Sequence, residues 1–315
     1  MIHWEEITKL VSTKLYLLGF DLVKAFPAQR YNENLLTYSP LPTFSQTNST
    51  LSILVGNTKH LWPKFLKYYS TEIFTNDHTY KTSVSSNHCA SSMSYSEDGD
   101  NEEYKKQNPL DYYTRISITT IIKEIIQLKN LSDLSYDVRY TFDLDKKKFV
   151  AFQILAENAS LAYYNRVSYL NVHKKYGPWI GLRAVITFDI EGPLNSLQLF
   201  PQLKNPFPEG DKILERKIQE IFGTKDHHYH KQRRNSSSEQ DNHMITEGST
   251  LDMKLEIKEE WHKFVELRDI ASGFIDKELL EKYRYSKDQI EYHYTNNPEL
   301  LNKLVLNKKL NQFDA

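Results

Sequence analysis

Ile7, Leu10, Val11, Leu15 and Leu18 recur at the three- and four-residue spacing of a helix with one apolar face. The chain is therefore predicted to open with an amphipathic helix ending at Gly19. Phe20 to Phe26 and Leu51 to Gly56 read as strands, and a helix around Trp62-Pro63 to Tyr69 follows, with proline tolerated in its first turn. After Asn108-Pro109-Leu110-Asp111, the residues Ile118, Ile121, Ile122 and Ile125 form a second strong helical stripe. Tyr136, Val138, Tyr140, Phe142 and Leu144 then alternate with polar residues, as a strand with one wet face does.

Residues 148–169 contain neither glycine nor proline and are rich in alanine and leucine, which predicts a helix over much of the stretch, with Tyr163-Tyr164-Asn165 near its end. Ile180 to Phe188 is predicted as a strand. Strict alternation would put Ile180, Leu182, Ala184, Ile186 and Phe188 on one face and Gly181, Arg183, Val185 and Thr187 on the other. Gly192 to Pro208 reads as an extended, proline-rich connector, and Asp211 to Phe222 as a helix stopped by Gly223. Met253, Ile257, Trp261 and Phe264 mark a helix that carries Arg268-Asp269. Near the end, Ser286 with Gln289 forms a capping box, and Asn297-Pro298-Glu299 places a cap before proline.

Two stretches, 70–107 and 224–252, lose all periodicity and fill with Ser, Thr, Asn, Asp, Glu and Lys, so they are expected to be flexible insertions. No internal repeat is present. The alternation of helices and strands around the insertions reads as one α/β domain spanning 1–315.

A chain of 315 residues with 39% hydrophobic and 13% aromatic content can build a real core. Its 40 basic and 41 acidic side chains give no bulk attraction to nucleic acid or anionic membrane, which favours a small-molecule or protein partner. The single cysteine, Cys89, has no partner for an internal disulfide and fits a reducing compartment. The start, Met1-Ile2-His3-Trp4-Glu5-Glu6, is acidic where a signal peptide would be basic, and no apolar run approaches the ~20 residues that span a bilayer. A cytoplasmic location is expected.

Candidate chemistry is sparse. No G-x-G-x-x-G, Walker loop or G-x-S-x-G is present, and ten glycines leave little for phosphate cradles. His227, His228 and His230 lie in a polar tract without Cys, Asp or Glu at ligand spacing, so a solvated loop is favoured over a metal site. Cys89 sits in a Ser-rich stretch that offers no electropositive setting for a nucleophile. Arg183 differs, because a guanidinium in an otherwise apolar strand needs a partner. Two readings stand: a structural salt bridge, with Asp269 or another acid, or a fork onto a ligand carboxylate, shared with Arg268. Tyr163, Tyr164 and Trp179, after Gly177-Pro178, are either core aromatics or the wall of a pocket for a large flat ligand.

Taken in order, several short motifs carry a resemblance. They are Gly19-Phe20-Asp21 with Tyr31-Asn32-Glu33, Leu51 to Thr58, Phe65-Leu66, Asn108-Pro109-Leu110-Asp111, and Phe149 to Ala151 leading into Tyr163-Tyr164-Asn165-Arg166. Further on come the spacing His173, Gly177, Trp179, Arg183, then Arg268-Asp269 and Arg284-Tyr285-Ser286. This chain resembles the methylmalonic aciduria and homocystinuria type C protein (CblC) family of cyanocobalamin reductases and alkylcobalamin dealkylases over most of its length outside the insertions.

The resemblance implies an α+β, flavin-reductase-like (nitroreductase-like) fold, a mixed sheet flanked by helices, that binds cobalamin base-off. It implies that Phe149, Val150, Ala151, Phe152, Tyr163, Tyr164, Asn165, Asn171 and Leu182 line the cobalamin site and that Arg183 and Arg268 hold glutathione carboxylates. The protein supplies no catalytic side chain and no metal ligand of its own in this scheme, since the glutathione thiolate attacks the cobalt-bound carbon. Reduced flavin (FMN or FAD), or an NADP-linked partner reductase, provides electrons for decyanation. A downstream cobalamin-trafficking protein is the implied recipient, and the protein is a monomer or a ligand-linked homodimer.

This chain departs from the family pattern at several positions. A His-x-x-Gly motif falls on Ala156-Glu157-Asn158-Ala159, and a third glutathione arginine falls near Leu300, with Lys303 one turn on. Thr141 stands where an aspartate of the cobalamin site aligns, Asn165 replaces a glutamine, and Asn171 stands where some members have cysteine. A non-catalytic cobalamin chaperone and a flavin-dependent reductase on the same fold are the competing functions.

Overall fold

The structure, a computed structural model, describes residues 3–33, 39–44, 47–79, 105, 107–143, 145–221 and 260–313. Cys89, Met253, Ile257 and the histidine cluster at 227–230 lie outside them. Helix α1 (Trp4–Leu17) buries Ile7, Val11 and Leu15, the stripe that the spacing marks out. Strand β1 (Leu22–Pro27) leads into a short helix α2 (Ala28–Asn32), and β2 (Thr50–Asn57) is buried along its whole length. Helix α3 (Leu61–Thr79) extends into the first ten residues of the expected insertion at 70–107. Helix α4 (Pro109–Leu128) starts with proline in its first turn and buries Ile118, Ile121, Ile122 and Ile125.

Strand β3 (Tyr136–Tyr140) and the long β6 (Gly181–Glu191) complete a four-stranded sheet of order β1-β2-β6-β3. Every neighbouring pair in it is antiparallel. The arrangement is therefore α+β, and both the α/β reading and the mixed sheet are corrected. Helices α3 and α4 do carry the chain from β2 to a strand of the same direction, β3, but β6 inserts between the two and runs antiparallel to both, so among the described residues no parallel neighbours form. The central pair, β2 and β6, separates two cores. On one face, Leu51, Ile53, Val55, Ala184, Ile186 and Phe188 pack with α1, α3 and α4. On the other, Leu54 and Val185 pack with Phe26, Tyr31, Val150, Phe152 and Phe200.

The helix expected over 148–169 is corrected more sharply. Only α5 (Phe152–Asn158) is helical, and an antiparallel hairpin follows, β4 (Tyr163–Asn165) with β5 (Leu170–Val172). Ser160 and Tyr169 adopt positive φ, which a continuing helix forbids. Asn165 then fixes the turn, because its Oδ1 accepts from the backbone N–H of Val167 and Ser168 at 3.0 and 2.9 Å and from the Ser168 hydroxyl.

The C-terminal half supplies α6 over residues 211–221, then α7 (Trp261–Ala271), α8 (Lys277–Tyr283), α9 (Lys287–Thr295) and α10 (Pro298–Phe313). The Ser286 hydroxyl accepts from the Gln289 N–H, as the capping pattern requires. No helix among the described residues is long and apolar enough to cross a membrane.

Candidate anion-binding cavity

Arg183 owes its position to an irregularity in the central ladder. Val55 pairs with Ala184 and Gly56 with Leu182, so β6 carries one residue more than β2 at this point, and that residue is Arg183. A bulge of this kind breaks strict alternation. Leu182 packs on the Val185 side, while Arg183 comes under the influence of Tyr285, Asp111 and Tyr292 on the side where Ala184 lies. The faces expected for Leu182 and Arg183 are thereby exchanged.

The Arg183 Nε donates to Asn57 Oδ1 at 2.6 Å, and the Asn57 amide is itself anchored by donating to the Thr58 carbonyl at 2.7 Å. The salt bridge to Asp269 does not form, because Asp269 is forked by Arg284 at 2.8 and 2.9 Å. Among the described residues, no carboxylate lies within salt-bridge distance of Arg183 or Arg268. Arg268, on α7, instead donates from Nε to the Tyr294 hydroxyl at 3.0 Å and from Nη1 to the Pro178 carbonyl.

The Gly-Pro-Trp corner explains why Arg268 arrives there. His173 and Gly177 exchange two backbone hydrogen bonds of 2.8 Å, closing a tight turn with Gly177 at φ +58°. The His173 Nδ1 also accepts from the N–H groups of Lys175 and Tyr176. Burial, then Lys174 and Lys175, lower His173 to about 4, so it stays neutral as this acceptor. The corner drives Trp179 into the interior, where its Nε1 donates to the Ser272 hydroxyl at 3.0 Å. Guanidiniums flank its ring, Arg284 at 4.9 Å and Arg268 at 5.9 Å from the centroid.

These elements enclose a cavity of about 210 Å³ lined by Trp179, Gly181, Arg183, Arg268, Tyr285 and His293, with Ile180, Ile290 and Tyr294 completing the wall. Burial pulls Arg183 below the ordinary arginine value, opposed by Tyr285, Asp111 and Tyr292. Burial acts on Arg268 in the same way, but the phenols of Tyr294 and Tyr285 outweigh it and hold that group above its ordinary value. Both remain guanidinium ions at any working pH. The Tyr285 phenol is pushed up to about 12 by burial, against the pull of the two arginines. Its buried hydroxyl stands beside Asn57 yet makes no hydrogen bond of good geometry. His293 is held well below the ordinary imidazole value by burial first and then by Arg183 and Arg268, so its ring is neutral. Two cations, an unsatisfied hydroxyl and a neutral imidazole therefore face one space, and that combination suits a carboxylate-bearing ligand.

The residues assigned to cobalamin lie elsewhere. Val150 and Phe152 belong to the core on the opposite sheet face, Leu182 packs against it, and Ala151 is buried with its N–H donating to the Tyr31 hydroxyl. Phe149 is exposed and Tyr163 and Tyr164 are half-buried, with the Tyr164 ring beneath the Arg166 guanidinium. Asn165 and Asn171 are buried with their amides engaged, Asn165 Nδ2 by Asp211 at 2.8 Å and Asn171 Nδ2 by the Gln153 carbonyl at 3.0 Å. Ile180 links the two regions, since it lines the arginine cavity and packs with Leu22 and Ala162 next to Tyr163.

At the departures, Ala156 and Ala159 are fully buried, and Glu157 pairs with Arg166 at 2.6 Å. Leu300 packs against the first core and Lys303 is exposed, and neither lines the cavity. Thr141 is exposed at the end of β3, its N–H donating to the Arg183 carbonyl at 3.0 Å. Sequence reasoning missed Asn57, Tyr285 and His293. Tyr285 carries a signal in the Arg284-Tyr285-Ser286 motif, whereas a lone histidine on a polar helix carries none. Among the described residues, no group of His, Cys, Asp and Glu side chains is arranged to hold a metal ion.

No known family profile matches the chain, and no curated protein is significantly similar to it in sequence. In three dimensions it is similar to the crystal structure of a C. elegans B12-trafficking protein CblC, a human MMACHC homologue. The TM-score is 0.51, with 15% sequence identity and 94% of each chain covered. The likeness shows a shared fold across nearly the whole length of both chains.

Proposed function

We propose that this chain binds cobalamin base-off and processes it, using glutathione to dealkylate alkylcobalamins and external electrons to release cyanide from cyanocobalamin. The observation that carries the reading is the pairing of Arg183 and Arg268 around one cavity without a carboxylate among the described residues, with the Tyr285 hydroxyl unsatisfied beside them. Glutathione offers two carboxylates and a thiol to such a site. A B12-trafficking neighbour of the same fold supports the choice of ligand on the other side, and the flavin-reductase-like classification belongs to the same proposal.

In this reading Arg183 and Arg268 fix the tripeptide through charge-assisted hydrogen bonds, and the surrounding Trp179, Ile180 and Ile290 exclude water. Phe149 to Phe152, Tyr163 to Asn165, Asn171 and Leu182 shape the corrin side. The thiolate attacks the carbon on cobalt, the new bond is S–C, and the electron pair of the Co–C bond stays with the departing cob(I)alamin. Positioning two reactants supplies most of the acceleration. Reduced FMN or FAD, or a partner reductase, supplies electrons for decyanation. A cytoplasmic location, hand-over to a downstream trafficking protein and a monomer or ligand-linked dimer complete the proposal.

A second reading, a chaperone with weakened glutathione use, is favoured by Leu300 and Lys303 lying outside the cavity lining. Anaerobic methylcobalamin separates the two. A base-off shift in the visible spectrum followed by glutathione-dependent demethylation is expected; a shift without demethylation leaves the chaperone, and the absence of any shift overturns both.

A further inference from the structure

His293 has no part in the scheme above, yet it shares the cavity with both arginines. We propose that the cavity takes up its carboxylate ligand together with a proton, which lodges on His293, and that a thiol ligand supplies this proton from its own S–H. The inference rests on the carboxylate-binding reading of the cavity and extends it to proton management.

Among the described residues, groups from several elements face His293. Tyr292 and Gln289 come from its own helix, Trp62 from α3 and Tyr285 from the turn before α9, with ring centroids at 6.4, 6.3 and 5.5 Å for Tyr292, Trp62 and Tyr285. Tyr294 follows it in sequence and lines the same wall. The charges acting on it are Arg183 from β6 and Arg268 from α7, both positive. Acids act on its neighbours: Asp111 on Arg183 and Tyr292, and Asp21 on Tyr285.

Without a bound anion, a proton on this ring would be a third positive charge in the same half-buried space. A bound carboxylate reverses that balance, because it neutralises the guanidiniums and places negative charge beside the imidazole. The Gln289 amide, 3.5 Å from His293 Nε2, can offer its NH₂ to the neutral ring or its oxygen to the imidazolium. With a thiol ligand the balance is internal: the S–H bond breaks, its electron pair stays on sulfur as thiolate, and the proton passes to His293. With a ligand lacking a thiol the proton comes from solvent. The bound-state proton affinity exceeds the free-state one, so binding of such a ligand strengthens as pH falls through the bound value, by at most roughly tenfold per pH unit.

The test is calorimetric titration of the full chain with S-methylglutathione, and separately with succinate, near pH 6 in two buffers of different ionisation enthalpy, for wild type and His293→Phe. Wild type is expected to take up a fraction of a proton per ligand bound, and His293→Phe to bind with little or none. Equal uptake in the two proteins, or binding to wild type without uptake, overturns the inference. Succinate uptake dependent on His293 with no binding of S-methylglutathione sustains the inference while removing the glutathione reading. Failure of both ligands to bind overturns the inference as well. If His293→Phe does not fold, His293→Gln carries the comparison.

Discussion

Replacing Arg183 by methionine separates a ligand-binding arginine from a structural one, because the two roles predict opposite changes in stability. In the free protein the guanidinium makes its bond to Asn57 Oδ1 at 2.6 Å and has no carboxylate in reach among the described residues. Burial disfavours its charge, with Tyr285, Asp111 and Tyr292 giving partial relief. Arg183 is half-buried, so replacing its partnerless charge by an apolar chain of similar reach gains at most about 1–4 kcal/mol, the range for fully buried groups. Loss of the Asn57 bond opposes this by about 1 kcal/mol. The variant should therefore be as stable as wild type or up to about 3 kcal/mol more stable in urea unfolding. Its affinity for glutathione should fall by the ~1.5–3 kcal/mol of a charge-assisted contact, roughly 10- to 150-fold, with base-off cobalamin binding unchanged. Destabilisation beyond about 2 kcal/mol with loss of both ligands would refute this reasoning, since that is how a broken structural ion pair behaves.

Gly181→Ala places a Cβ 2.8 Å from Asn57 Oδ1 and 3.2 Å from Arg183 Nη2, so it should push the pair apart and weaken glutathione binding roughly tenfold in calorimetry. Gly177→Ala is strained at φ +58° and meets Ile275 Cδ1 at 2.8 Å; a loss of about 1–2 kcal/mol is expected in chemical denaturation. His293 is neutral in the native state below the pH at which the unfolded chain protonates its own histidine, near 6.5. Stability is therefore lost as pH falls from there, and His293→Phe should retain up to ~2 kcal/mol more than wild type between pH 7 and 5 in paired urea titrations.

Elements whose signal is local were legible from the residues. The stripe Ile7, Val11, Leu15 and the isoleucines of α4 face the core because a helix must bury one side, and Ser286 caps α9 through a bond to a residue three positions on. The stretch 148–169 was not legible. Its composition permits a helix, but Asn165 offers the backbone a competing partner and the chain turns instead. Strand direction was likewise hidden, because pairing depends on residues far apart in sequence. For the site, Arg183 stood out as a charge that needed a partner, with Arg268 as the residue that could share its ligand, and the structure brings both to one cavity. Asn57 and His293 become visible only when β2, β6, α7 and α9 converge, and no spacing within one element records that.

The bulge in β6 also bears on how such a site could arise. Without Arg183 the strand still alternates correctly, with Leu182 and Val185 toward one core and Ala184 and Ile186 toward the other. The charge therefore occupies a position that the sheet does not need in order to close. A one-residue insertion into an existing ladder would suffice to hang a guanidinium at its end, and a one-residue deletion would remove it without repacking either core. On the proposed reading, the anion-binding charge is then a matter of chain length at one strand rather than of rebuilding the fold around it.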